Sequence, residues 1–198
     1  MKEIVVASSN KGKIAEIKAA LINLPITVLA LKDFGDIPEA VETGTTFNEN
    51  AILKARHYAH YTGKACLADD SGLEVDALNG APGVYSARYA GEGASDQDNN
   101  KKLLKEVKKI SSAKRTARFH CVLAFIDTDK TIMTSNGVCE GILLDAARGV
   151  DGFGYDPLFL IPELNKTLAE VSMQVKNSIS HRGQALRNMA KQLAGYLK

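Results

Sequence analysis

Asp69 and Asp70 stand side by side in the run ACLADDSGLE, followed by Ser71 and Gly72. Adjoining carboxylates repel each other unless a cation or a proton relieves them. Hard oxygen ligands suit Mg2+, which takes one or two protein carboxylates and completes its octahedron with water and substrate phosphates. Glu42 is a candidate for a further ligand. The same four residues also describe an ordinary polar turn. A second group is SSNKGK, comprising Ser8, Ser9, Asn10, Lys11, Gly12 and Lys13. It falls where a strand-like run gives way to a helical one, so free amides and the positive dipole end would attract an anion. The spacing is not that of a P-loop, and Ser9 or Asn10 could equally be a plain N-cap. Third, Ser180 reads as an N-cap, which puts His181 and Arg182 in the first turn of the last helix. Cations there oppose the dipole at a cost of a few tenths to about 1 kcal/mol. A bound anion would reverse that cost; an ion pair with a neighbouring acid, or a His packed in the core, is the plainer alternative. Fourth, GFGYDP at 152–157 offers Phe153 or Tyr155 to stack on a base, a contact worth roughly 1–3 kcal/mol. Core packing accounts for two such aromatics as well, and the segment lacks the GxGxxG dinucleotide spacing. A ligand that is polyanionic, metal-bound and aromatic answers all four groups together, and a nucleoside triphosphate is such a ligand.

The elements that must position these residues follow from periodicity. EIVVA at 3–7 reads as a strand, and Ile14, Ile17, Leu21 and Leu24 repeat at helical spacing until Pro25. ITVLAL at 26–31 reads as a second strand. A polar connection from Pro38 to Thr46 leads to a helix carried by Phe47, Ala51, Ala55 and Tyr58 and stopped at Gly63. ACLA at 65–68 reads as a short strand, with Asp69 to Gly72 at its end or in the turn beyond, because strand propensity disfavours them. Residues 79–95 form an irregular excursion, and Ser95 with Asp98 opens a helix through Leu103, Leu104 and Val107. From 116 the pattern is β, with a hairpin through Asp127 to Lys130, and the chain closes on a helix striped by Leu186, Met189, Leu193 and Leu197. The expectation is one α/β domain over 1–198, divisible at most into two lobes, with a mixed, elongated twisted sheet flanked by helices and a nucleotide cleft between the lobes.

Composition excludes several classes. Of 198 residues 45% are hydrophobic and 24% charged, which fits a folded globular chain. The 25 Lys and Arg against 23 Asp and Glu leave a net charge of +2, too little for a general grip on nucleic acid or an acidic membrane. No apolar run reaches the roughly 20 residues of a spanning helix, and the opening is too quickly polar for a secretory signal, so a cytoplasmic protein is expected. Cys66, Cys121 and Cys139 lie in apolar contexts without a CxxC pair and read as buried hydrophobes.

In SSNKGK, ETGTTFNENAILKAR at 42–56, ADDSGLEVDALNGAPGVYSARY at 68–89, ARFHCVL at 117–123, GFGYDPLF at 152–159 and SISHRGQAL at 178–186, the chain resembles the inosine triphosphate pyrophosphatases. These hydrolyse non-standard purine nucleoside triphosphates to the monophosphate and pyrophosphate. The shared blocks span almost the whole chain, and their order is highly specific. The family's first loop usually reads TGNxxK, where this chain has Ser8 and Ser9. The resemblance implies that Asp70 is the general base and a Mg2+-associated carboxylate, with Glu42 and Asp69 at the metal. It implies that Lys13, the Asn10 loop and Lys54 bind phosphates and that Ser71 touches substrate. Phe153, Gly154, Tyr155, Asp156, Lys176, His181 and Arg182 would form the nucleobase side, and the family usually forms homodimers. A catalytically silent purine-nucleotide-binding protein on the same scaffold is the competing reading.

Overall fold

A computed structural model describes residues 1–128 and 131–198. Its first strand, β1 (Lys2–Ala7), leads into helix α1 (Lys11–Leu21), whose N-cap is Asn10. The helix stops before Leu24, so that residue packs from the following turn rather than from the helical stripe. Strand β2 (Ile26–Ala30) precedes helix α2 (Phe47–Thr62), opened by a Thr46–Glu49 capping box and closed by Gly63 at φ +63°. The next strand, β3 (Ala65–Val75), is far longer than the run ACLA suggests. Asp69, Asp70, Ser71 and Gly72 therefore lie in mid-strand, which corrects the expectation of a strand end or turn. Propensity is overridden because β3 is a central strand and protein cations meet both carboxylates.

Helix α3 (Asp96–Val107) starts on the Ser95–Asp98 capping box, and the long strands β4 (Thr116–Ile126) and β5 (Ile132–Leu143) follow. Residues 129–130, on which part of the expected Asp127–Lys130 hairpin falls, lie outside the described residues; the Asp127 N–H donates to the Thr131 C=O at 2.9 Å. Short strands β6 (Phe159–Ile161) and β7 (Lys166–Thr167), helix α4 (Met173–Ile179) and helix α5 (His181–Tyr196) complete the order. Helix α4 was not foreseen in the sequence, and Leu197 lies just past α5 rather than in its stripe.

Among the described residues seven strands form one sheet in the order β2-β1-β3-β4-β5-β6-β7. β1 pairs parallel with β2 and β3, whereas β6 pairs antiparallel with β5 and β7, so the sheet is mixed as expected. The chain divides into two compact units. The first comprises 1–70, 121–137 and 181–198, and the second 71–120 and 138–180. Each has its own core. In the first, Ile4, Val6, Leu67, Leu123 and Phe125 of the strands pack with Ile17 and Leu21 of α1 and Leu186, Met189 and Leu193 of α5. In the second, Leu73, Val75, Phe119 and Leu143 pack with Leu103 and Val107 of α3 and with Tyr155, Leu158 and Phe159. The three cysteines are buried, and no disulfide joins them among the described residues. No helix among the described residues is long and apolar enough to cross a membrane.

Candidate active site

Side chains alternate between the faces of a strand, and that period separates the two adjoining carboxylates. Asp69 meets α1 and α5, while Asp70 meets α2. Asn10 caps α1 by accepting from the Lys13 N–H at 3.0 Å, which fixes Lys13 in the first turn. The Lys13 ammonium then reaches Asp69 Oδ1 at 2.5 Å. Asp69 Oδ2 accepts from Arg182 Nε at 2.7 Å and from the Cys121 thiol at 3.2 Å. Arg182 Nη1 donates in turn to Glu16 Oε2 at 2.7 Å. Glu16, Arg182, Asp69 and Lys13 thus form a chain of alternating charge, mostly buried. Burial pushes the Asp69 carboxyl up, but Arg182 and Lys13 together hold it well below the ordinary range, so it stays ionised. For the misplaced cations of α5 the structure shows the two plainer answers, neighbouring acids at Arg182 and a buried His181.

On the other face Lys54 of α2 lies 2.8 Å from Glu42 Oε1, 3.4 Å from Asp70 Oδ1 and 3.1 Å from the Asp69 C=O. Asp70 Oδ2 is buried and has no hydrogen-bond partner among the described residues. Burial pushes the Asp70 carboxyl up to about 6 against the pull of Lys54. One ammonium between two carboxylates marks a place where positive charge is stabilised. An unsatisfied Asp70 oxygen beside Glu42 is a donor set that fits Mg2+, which needs only one or two protein carboxylates. Among the described residues no group of three or more His, Cys, Asp or Glu is placed to hold a metal. Asp69, with an oxygen on Lys13 and an oxygen on Arg182 and Cys121, stands behind this pair.

The segment carrying Glu42 is pinned by residues that sequence reasoning passed over. Gly44 N–H donates to Asn50 Oδ1 at 2.8 Å, and Asn50 is fully buried. A side chain at Gly44 would run into Asn50 Oδ1 at 2.6 Å, so only glycine fits. Glu49 Oε2 accepts from the Thr45 and Thr46 N–H groups at 2.7 and 3.2 Å. Glu16 was missed as well. The available signal was position: Glu16 precedes Ile17 on the buried side of α1, and Asn50 precedes Ala51 on that of α2.

The second unit holds the other group. Asp156 Oδ2 accepts from the Phe153 N–H at 2.9 Å and from Lys176 Nζ at 2.6 Å, and the Lys176 ammonium sits 4.4 Å from the centre of the Phe153 ring. Gly152, at φ +77°, leaves room for the Asp156 carboxyl, which any side chain there would strike. Tyr155 is buried in the second core, where its hydroxyl donates to the Ser86 C=O at 2.7 Å. Core packing is therefore the reading that fits Tyr155, and Phe153 is the half-buried aromatic of the pair. Among the other expected residues, Ser9 and Lys11 are exposed, and Ser8, Gly12 and Ser71 are half-buried. Ser8 Oγ accepts from the Asn10 N–H at 3.2 Å. His181 is buried at the start of α5.

Residues 4–192 match the Ham1 family. The chain belongs to that family. Among Ham1 relatives, the dITP/XTP pyrophosphatase of Geobacter sulfurreducens is 53% identical over 94% of each chain. That of Vibrio parahaemolyticus is 52% identical over 98% of each chain. The structure of a HAM1 protein from Coxiella burnetii superposes with a TM-score of 0.90 at 46% identity, covering 98% of this chain and all of that one. A dITP/XTP pyrophosphatase from Mycobacterium abscessus gives a TM-score of 0.76 at 38% identity over 94% and 97% of the two chains.

Proposed function

We propose that this Ham1-family chain hydrolyses non-standard purine nucleoside triphosphates, namely ITP, dITP and XTP, to the monophosphate and pyrophosphate in a Mg2+-dependent reaction. Relatives about half identical over nearly their full length carry the name dITP/XTP pyrophosphatase, which supports the substrate class. The observation that carries the chemistry is Asp70, a buried carboxylate with a raised pKa and one unengaged oxygen, facing Glu42 and Lys54. With its pKa at about 6, Asp70 is ionised at neutral pH yet basic enough to take a proton from an attacking water. Glu42 and Asp70 would hold the Mg2+, which when bound neutralises charge on the transferring phosphoryl group. Lys54 keeps both carboxylates in register. Lys13 and the 8–13 loop take the phosphates, since a lysine has three donors and Asp69 uses only one.

The base is assigned to the second-unit group, with Phe153 as stacking face and Lys176 as reader; Ser71 belongs to the same unit, whereas His181, given a base role by the resemblance, belongs to the first. Arg182 enters through Asp69. Its guanidinium donates to Asp69 and Glu16, and the resemblance gives it a further role at the base. Hypoxanthine and xanthine present a 6-keto acceptor where adenine presents an amino donor, and Lys176 can only donate. ATP would set its 6-amino donor against the lysine's N–H donors and lose that hydrogen bond, at roughly 1–3 kcal/mol. A homodimer in the cytoplasm, without nucleic-acid or membrane partners, is the setting we assign. Pyrophosphate release from ITP, XTP, dITP, GTP and ATP, with Mg2+ and then with EDTA, tests the proposal. Metal-dependent release favouring ITP, XTP and dITP is expected. Binding without release would overturn it in favour of the silent binder.

A further inference from the structure

We propose that Asp96 and Asn100 of α3 are positioning residues for nucleobase selection, acting by clamping the loop that carries Phe153; this rests on the assignment of the base to that loop. The Gly154 N–H donates to Asp96 Oδ2 at 2.7 Å, and the Gly154 C=O accepts from Asn100 Nδ2 at 2.9 Å. Both backbone groups of one residue are thereby held by side chains four apart, which a helix places on the same face one turn from each other. Gly154 sits at φ +62° with open space where a Cβ would be, so its conformation, not crowding, makes it glycine. The clamp is attached to something firm. Ser95 and Asp98 cap α3, and Leu103 and Val107 bury its far end in the core of the second unit. Between them Asn99 accepts from the Ala90 N–H at 2.7 Å and donates to the Ala87 C=O at 3.1 Å.

The loop is fixed from the other side as well. Tyr155 is tied to the Ser86 C=O, and Asp156 gathers the Phe153 N–H and the Lys176 ammonium. Gly154 is the residue between the aromatic that faces the base and the aromatic that faces the core. Rotation of its peptides would turn the Phe153 ring relative to the Lys176 ammonium 4.4 Å away. Stacking and the donor to the 6-keto oxygen must be held in one geometry for a keto base to be told from an amino base. Asp96 and Asn100 supply that constraint without touching the base, which makes them specificity determinants at one remove.

The test compares Asp96→Ala, Asn100→Ala and Asp96→Asn with the unaltered chain, using ITP and ATP turnover and the binding of inosine monophosphate without metal. Each alanine variant is expected to raise the KM for ITP and the Kd for inosine monophosphate about 3–10-fold, as loss of one hydrogen bond implies. In each, kcat should hold within about twofold and the Mg2+ concentration for half-maximal rate should not change. Asp96→Asn keeps an acceptor oxygen for the Gly154 N–H and is expected to restore both constants. An unchanged Kd for inosine monophosphate in both alanine variants would overturn the inference, as would Asp96→Asn behaving like Asp96→Ala. A kcat falling in step with the melting temperature would reduce the residues to structural ones and overturn it too. If the unaltered chain releases no pyrophosphate but binds inosine monophosphate, and the alanine variants weaken that binding, the hydrolase reading fails while the clamp stands. An unaltered chain that does not bind inosine monophosphate overturns both.

Discussion

Asp70 and Asp69 are neighbours in sequence that end up as chemical opposites. Asp70 is buried with a lysine at 3.4 Å and a free oxygen, and its carboxyl is pushed up; Asp69 is buried with two cations in close contact and is held down. Replacing Asp70 by Asn keeps the shape and removes the base, so kcat should fall by about 10²–10⁴-fold with nucleotide binding retained. The same variant should alter the pH dependence of stability in metal-free protein. Folded Asp70 holds its proton up to about pH 6, whereas the unfolded chain releases it near 3.8. Between those values the folded state binds more protons, so Asp70 lowers stability as the pH rises from about 4 to 6 and keeps it lower above. Thermal melting in EDTA at pH 4 and pH 8 should show Asp70→Asn gaining relative to the unaltered chain only at the higher pH. Arg182→Ala acts differently, because it removes the buried cation that Asp69 and Glu16 share and leaves the Asp69 carboxylate without one of its two cations. Breaking a buried pair from one side costs about 3–5 kcal/mol, which denaturant unfolding would read.

At the scale of elements, the approach of β5 to α5 sets where Arg182 can reach. A Cβ on Gly137 of β5 would overlap the His181 C=O and meet the Ala185 N at 2.8 Å, and Ser135 Oγ donates to the Ala185 C=O at 2.9 Å. Gly137→Ala must therefore push the start of α5 away from the sheet. Overpacking of this kind costs about 1–3 kcal/mol, to be seen as a lower unfolding midpoint. Activity should fall further than stability alone requires, because the displaced turn carries His181 and Arg182. Residual activity equal to that of the unaltered chain at matched folded fraction would show that the position of α5 is not critical. The ends of α2 and α3 were readable beforehand, since Thr46–Glu49, Gly63 and Ser95–Asp98 are local chemistry that needs no tertiary context.

For the whole molecule, the near-balanced charge predicts that catalysis responds to the metal rather than to bulk salt. Removing Mg2+ with EDTA should abolish pyrophosphate release, and added Mg2+ should restore it. Raising salt from 50 to 200 mM should leave any affinity for DNA negligible throughout; a steep salt-dependent DNA affinity would contradict the assigned setting. Of the expected site residues, those of 8–13 with Glu42, Lys54, Asp69, Asp70, His181 and Arg182 lie in the first unit, and Ser71, Phe153, Gly154, Tyr155, Asp156 and Lys176 in the second.

The sequence by itself determined the alternation of strands and helices, the caps, the buried cysteines and the blocks that carry the family resemblance, because each depends on residues a few positions apart. It misplaced Asp69 to Gly72 at a strand's end, because local propensity counts exposed acids and cannot count cations arriving from α1, α2 and α5. It left Arg182 with two explanations and could not separate Phe153 from Tyr155. Only the tertiary structure decided these, through contacts as distant as the 113 positions between Asp69 and Arg182 and the 69 between Ser86 and Tyr155. Charge pairing and burial depend on which surfaces meet, and that is fixed by how the sheet and its helices pack.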